Sequence, residues 1–138
     1  PILKDAIDKK IPFVCANPDY ESVERNKNNE KKICMGTIAK LYEDFGGKVY
    51  TLGKPTKFIY EKSVASIVNF NKSRTLAIGD SISHDIVGAN NFGIKSLLIT
   101  SGIHKELFLN KDFSWNSFLD NYTQFHNRPD YICEKLIY

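Results

Sequence analysis

LAIGDSISHDIVGAN, residues 76–90, runs an apolar segment into two carboxylates and then into a helix-like stretch. Leu76, Ala77 and Ile78 show no polar–apolar alternation, which predicts a strand covered on both faces, as in a parallel sheet. Gly79-Asp80 ends it, and residues 84–92 read as a helix closed by Gly93. In open α/β sheets ligands gather at the carboxyl ends of the strands. Asp80 falls at such an end, and Asp85 lies at the start of the following helix. Two neighbouring acids resist ionising together unless a cation joins them. Magnesium takes oxygen ligands, commonly one or two carboxylates, and fills its other positions with water and substrate phosphate. The G-D-x-x-x-x-D spacing therefore points to a magnesium site formed by Asp80 and Asp85 and serving phosphoryl chemistry. The plainer alternative makes Asp80 a turn residue and Asp85 an acid favoured by the helix dipole. Spacing alone leaves both open.

Working outward, elements alternate. Residues 2–10 read as a short amphipathic helix, and 11–16 (IPFVCA) as a strand stopped by Asn17-Pro18. The polar stretch 20–32 reads as a loop. Ile38, Leu41, Tyr42 and Phe45 recur at helical spacing, and Gly46-Gly47 ends that helix. Residues 48–52 (KVYTL) read as a strand broken by Gly53-Lys54-Pro55, with a helix from Pro55 to about Phe70. Residues 94–100 (IKSLLIT) form the next strand, and Ser101-Gly102 a turn. The tail after His104 predicts one or two short helices and a last strand or packed arm in PDYICEKLIY. Alternation of this kind is the pattern of a parallel α/β sheet with helical crossovers.

Composition excludes several classes. The 138 residues carry a net charge of +3, with 42% hydrophobic and 25% charged residues, as in ordinary globular domains. Basic residues are interleaved with acids, as in KNNEKK, so no stripe tracks a nucleic-acid backbone and no nucleic-acid partner is expected. Cys15, Cys34 and Cys133 form no C-x-x-C pair, which favours buried or half-buried free thiols over a disulfide framework or zinc. No apolar run reaches the length of a membrane span, and no signal-peptide pattern opens the chain. Cytoplasm is the expected compartment, with no membrane partner.

Lys54 adds to the site. It too follows a strand, where a lysine offers a point charge to a phosphate or a neighbouring carboxylate, although a solvated loop lysine is the commoner fate. Strand-Gly-Lys-Pro, a crossover helix, then strand-Gly-Asp-x4-Asp is specific as an ordered set. LGKPTKFIYEKSV followed by LAIGDSISHDIVGANNFGIKSLLITSGIH resembles the C-terminal half of the core of haloacid dehalogenase (HAD) superfamily phosphatases. The closer likeness is to class IIA, the 4-nitrophenylphosphatase and sugar-phosphatase-like group. FVCANPDY (13–20) resembles the Asn-Pro-Asp segment of that class's α/β cap, and CMGTIAKLYEDFGGKV the cap helix after it. The resemblance covers residues 11–104 in order.

It implies a HAD-like Rossmannoid parallel sheet, present as the C-terminal half of the core (51–138), with the end of an α/β cap domain (1–50). It implies a Mg2+-dependent phosphatase acting on a small phosphorylated metabolite through an aspartyl-phosphate. Lys54 matches the lysine that orders phosphate and nucleophile, and Asp80 the acid that binds magnesium directly. Asp85 matches the second acid supporting the metal. Asn17 and Asp19 match the cap segment near the substrate entrance, with a local Asn-Pro-Asp turn as the equal alternative. His84, His104 and His126 match nothing in the pattern and read as helix-start or surface histidines. The family's nucleophile and general acid lie in a D-x-D motif after an apolar strand, and the sequence holds no D-x-D. The nucleophile, the general acid and the phosphate-binding hydroxyl are therefore expected in an N-terminal half of the core that precedes this sequence. The chain alone is expected to be inactive, and Leu76–Asp80 to present an uncovered sheet edge. Caps of this class often mediate dimers, so a homodimer is the expected candidate assembly. Two other accounts remain: one half of a split or decayed enzyme, and a non-catalytic α/β binding module. A receiver-like module would carry its acidic pair earlier in the chain, and a dinucleotide binder would want G-x-G-x-x-G.

Overall fold

A computed structural model describes residues 1–25, 27–28, 31–122 and 128–137. The chain divides into two compact units, Pro1–Lys54 and Pro55–Tyr138. His126 lies outside the described residues.

The first unit opens with α1 (Ile2–Asp8) and β1 (Phe13–Cys15). After α2 (Met35–Asp44) comes β4 (Val49–Thr51), which pairs with β1 in parallel, Phe13 opposite Val49 and Cys15 opposite Thr51. The stretch expected to be a loop instead forms an antiparallel pair, β2 (Glu21–Arg25) and β3 (Lys31–Ile33). Ladder bonds come from the backbone, so a hairpin of polar residues forms without the apolar alternation that would announce it. The α2 helix is where its periodicity predicts, but its buried positions are Gly36, Ala39 and Tyr42, while Leu41 and Phe45 stay exposed. The Tyr42 ring lies 5.5 Å from Phe13, tilted by 39°, and its hydroxyl donates to the Ile11 carbonyl at 2.5 Å, which fixes α2 on the sheet.

The second unit carries the three-stranded parallel sheet β5 (Leu76–Gly79), β6 (Lys95–Ile99) and β7 (Tyr131–Cys133), in the order β5-β6-β7. Helix α3 spans Lys57–Val64, shorter than the expected run to Phe70. Ser66, Ile67 and Val68 are poor helix formers, and Asn69 takes a left-handed φ of 57°. A turn of π-helix, Ile82–Ile86, leads into α4 (Val87–Phe92), which Gly93 closes at φ 82°. Short helices α5 (Lys105–Phe108) and α6 (Trp115–Tyr122) fill the tail.

Burial is concentrated on one face of this sheet. Ile82, Ile86, Leu98 and Phe118 form one cluster, and Ala89, Phe92 and Ile94 a second, joined by Tyr60, Val64 and Ala77. Leu76 and Ile78 point the other way and are 42% and 49% exposed. The expectation that this strand is covered on both faces is therefore corrected: only its Ala77–Gly79 side is packed, because the covering helices all lie on that side among the described residues. The three cysteines are free, Cys15 buried and the others partly so.

Candidate functional site

In parallel sheets the strand ends that share an edge deliver their following loops to one place. In the second unit the carboxyl edge of β5 presents Asp80. The turn after it is shaped by Asp85, which is buried in the π-helical turn and accepts the Ser81 N–H on Oδ2 at 3.1 Å. That amide belongs to the peptide bond leaving Asp80, so Asp85 Oδ2 lies within about 6 Å of the Asp80 Cα. A Cβ on Gly79 would occupy the space of the Asp85 carboxyl group, which explains the glycine before Asp80. π-turns inside helices recur at functional sites, and this one sets Asp85 facing back toward the strand end.

The loop after β6 closes the other side. Ile103 N–H donates to Asp80 Oδ2 at 2.9 Å, and a Cβ on Gly102 would overlap the Asp80 carboxylate. Among the described residues Asp80 Oδ1 accepts no hydrogen bond. His104, next along, is half-buried and its Nε2 accepts the Ile82 N–H at 3.4 Å. Burial holds its imidazole below the ordinary histidine value, and the Asp80 charge pulls the other way. His104 does stand at a helix start, just before α5, but it faces inward, because the Gly102-Ile103 turn that grips Asp80 carries it toward Ile82. His84 sits in the π-turn, with Nδ1 3.0 Å from Ser81 Oγ. Beneath, the Tyr60 hydroxyl donates to the Asp85 carbonyl at 3.2 Å; burial, helped by the Asp85 charge, pushes this phenol up to about 12.

The first unit has its own strand-end cluster. Asn17 and Asp19 follow β1, and Lys54 follows the partner strand β4, so both loops leave one edge of that sheet. Gly53 packs against the Ala16 carbonyl and Pro18, leaving no room for a side chain. Asn17 Oδ1 accepts the Asp19 N–H at 3.2 Å, the local turn of the simpler alternative. Lys54 is exposed.

Sequence reasoning found the two carboxylates but missed Tyr60, Gly102 and the inward His104. A glycine two residues past a strand was the available signal for Gly102. Nothing in the spacing marked the other two. Among the described residues no group of three His, Cys, Asp or Glu side chains is placed to hold a metal. Asp80 and Asp85 are hard oxygen donors, and a pair suits magnesium, which needs few protein ligands, better than zinc, which wants three or four nitrogen or sulfur ligands.

The family profile of HAD-hydrolase-like proteins matches residues 51–137. The chain belongs to this HAD-hydrolase-like family. The solved haloacid-dehalogenase-like hydrolase of Brucella suis superposes with a TM-score of 0.71 at 29% identity, over 99% of this chain and 48% of that one. The magnesium complex of Mycobacterium tuberculosis glycerol phosphate phosphatase Rv1692 superposes at 0.68 with 24% identity, over 95% of this chain and 36% of that one. Among curated proteins, the chain is 26% identical over 101 residues to Gallus gallus glycerol-3-phosphate phosphatase (67% of this chain, 32% of the relative). It is 48% identical over 44 residues to the pyrimidine 5'-nucleotidase PynA of Streptococcus pneumoniae (32% of this chain, 19% of the relative). The HAD-like chain thus spans about half the length of the Brucella protein and a third or less of these curated relatives. The HAD-like α/β architecture expected from residues 11–104 is borne out, and class IIA fits these neighbours. No helix among the described residues is long and apolar enough to cross a membrane.

Proposed function

We propose that this chain supplies the magnesium-binding and phosphate-ordering part of a HAD class IIA phosphatase that hydrolyses a small phosphomonoester to alcohol and phosphate. The observation that carries this is the double clasp on the carboxylates: Ile103 N–H on Asp80 and Ser81 N–H on Asp85, each beside a glycine whose missing Cβ clears the carboxyl group. Asp80 would hold Mg2+ directly, and Asp85 would hold it or its waters. The bound ion supplies charge neutralisation for the phosphoryl group. Lys54 would add a point charge to the phosphate, as its place at the end of β4 suits. Asn17 and Asp19 would stand near the substrate entrance, in the end of a cap over residues 1–50, with the half-core over 51–138.

The attacking carboxylate is not supplied by these residues. With no D-x-D in the sequence, the aspartyl-phosphate forms on a partner segment, the N-terminal half of a HAD core. The edge position of β5 suits such a partner strand. Cytoplasmic residence and a homodimer complete the proposal.

The test is Mg2+-dependent hydrolysis of para-nitrophenyl phosphate by this chain, alone and mixed with the N-terminal core half of the Brucella relative. The expected result is no turnover alone, turnover on mixing, and loss of at least about a hundredfold with Asp80→Ala. Turnover by the chain alone, or a mixture indifferent to Asp80→Ala, overturns it.

A further inference from the structure

The carboxyl edge of the β5-β6-β7 sheet holds a second feature that the phosphatase chemistry does not use. A cavity of about 300 Å³ opens beside the loop after β6, at the small end of the range for ligand pockets. Phe108, Phe113 and Trp115 form its walls. These rings fix one another: Phe113 meets Trp115 edge-on at 4.8 Å, and Phe108 lies 5.4 Å from Trp115 with planes 30° apart. Phe108 and Phe113 also pack on the Ile82–Leu98 cluster, so the walls are held from behind. Leu109 completes the apolar lining, and the other four residues are polar: Thr100 and Ser101 with hydroxyls, Lys105 with an ammonium and Glu134 with a carboxylate. None of these four side chains has a protein hydrogen-bond or ion-pair partner among the described residues. The backbone holds them in place, since Thr100 N–H donates to the Cys133 carbonyl and Ser101 N–H to the Glu134 carbonyl, at 3.0 and 3.1 Å.

Fixed aromatic walls select a flat ring, because every heteroaromatic ring offers a π-face to stack. A lone carboxylate and a lone ammonium on the same rim select a ring that both donates and accepts at its edge. We propose that this cavity binds a nucleobase of the cytosine type, stacked on the Trp115 wall. Glu134 accepts from the exocyclic amino group, the pairing a carboxylate makes with cytosine N4. Lys105 donates to the ring carbonyl, and the Thr100 and Ser101 hydroxyls serve the remaining edge. Ser101 is two residues from Ile103, whose N–H holds Asp80, so the cavity rim and that carboxylate are separated by about 7 Å of chain. A nucleoside monophosphate would then present its phosphate toward Asp80. Only that last link rests on the function proposed above; the base pocket stands on its own lining.

Trp115 is the chain's only tryptophan, so its emission reports the cavity directly. The experiment titrates the full chain with cytidine, then uridine, then cytidine monophosphate with and without Mg2+. Saturable quenching by cytidine is expected, with uridine, which lacks the amino donor, about fivefold weaker. Glu134→Gln and Lys105→Met, both at exposed positions, are expected to weaken cytidine about fivefold each while leaving the melting temperature unchanged. Linear, non-saturating quenching overturns the proposal, as does an affinity that neither variant alters. Cytidine binding that gains nothing from phosphate and Mg2+ supports the base pocket and counts against the phosphatase reading, so the two fail separately.

Discussion

Each unit carries polar residues at the carboxyl end of parallel strands, yet the two ends are built differently. In the first unit, Asn17 Oδ1 accepts the Asp19 N–H, and the neighbouring glycines meet backbone: Gly36 N–H donates to the Asp19 carbonyl at 3.0 Å and Gly53 abuts the Ala16 carbonyl, with Asn17 and Lys54 exposed. In the second, each carboxylate is gripped by an amide and flanked by a glycine that makes room for it, with Asp85 buried over Tyr60. The same strand-end position thus yields a turn held through its backbone carbonyls in one place and a pair of held carboxylates in the other. Tertiary contacts around the loop make that difference.

If preorganisation is what distinguishes the second edge, filling its cleared space should hurt most. Gly79→Val and Gly102→Val each force a side chain into a carboxyl group and are expected to cost about 3 kcal/mol, the upper end for overpacking. Gly46→Ala is the control, with nothing within 4 Å of its Cβ but a φ of 86°, and should cost about 1 kcal/mol. Urea unfolding separates them, and equal costs would break the comparison.

Tyr60→Phe removes the hydroxyl bonded to the Asp85 carbonyl and is expected to cost about 1 kcal/mol. It should also change the alkaline limb. The folded phenol titrates at about 12 against an ordinary 10, so its contribution is complete below pH 10 and is lost as pH rises toward 12. Thermal melts at rising pH should show the parent falling more steeply than Tyr60→Phe.

On the acid side, His104 is held below its ordinary value of 6.5 by burial. The unfolded chain then takes up its proton first, so stability falls as pH drops below about 6.5 and levels off once the folded imidazole is also protonated. His104→Gln keeps an acceptor for the Ile82 N–H and should flatten that slope; an unchanged slope would assign it to other groups.

The smallest effect belongs to the first unit. Asn17→Ala loses one exposed turn bond and should cost about 0.5 kcal/mol in the same urea measurement. A cost matching Gly102→Val would mean the Asn-Pro-Asp turn is as built as the Asp80 edge.

The amino-acid order determined what local chemistry can write. Apolar periodicity together with glycine and proline punctuation placed α1, α2, β4, β5, α4 and β6 near their observed positions, and the Gly79-Asp80 step with Asp85 five residues on named the acidic pair. What needed tertiary structure was everything whose cause lies far along the chain. Leu76 and Ile78 read as core, but which face of a strand is covered depends on helices from elsewhere in the sequence. The β2–β3 pair was invisible because backbone ladders need no apolar pattern. His104 looked like a surface histidine until the loop holding Asp80 turned it toward Ile82, a contact across 22 residues. Local spacing fixes which groups are available; packing decides which of them meet, because burial and hydrogen bonding are satisfied between segments that the sequence does not place side by side.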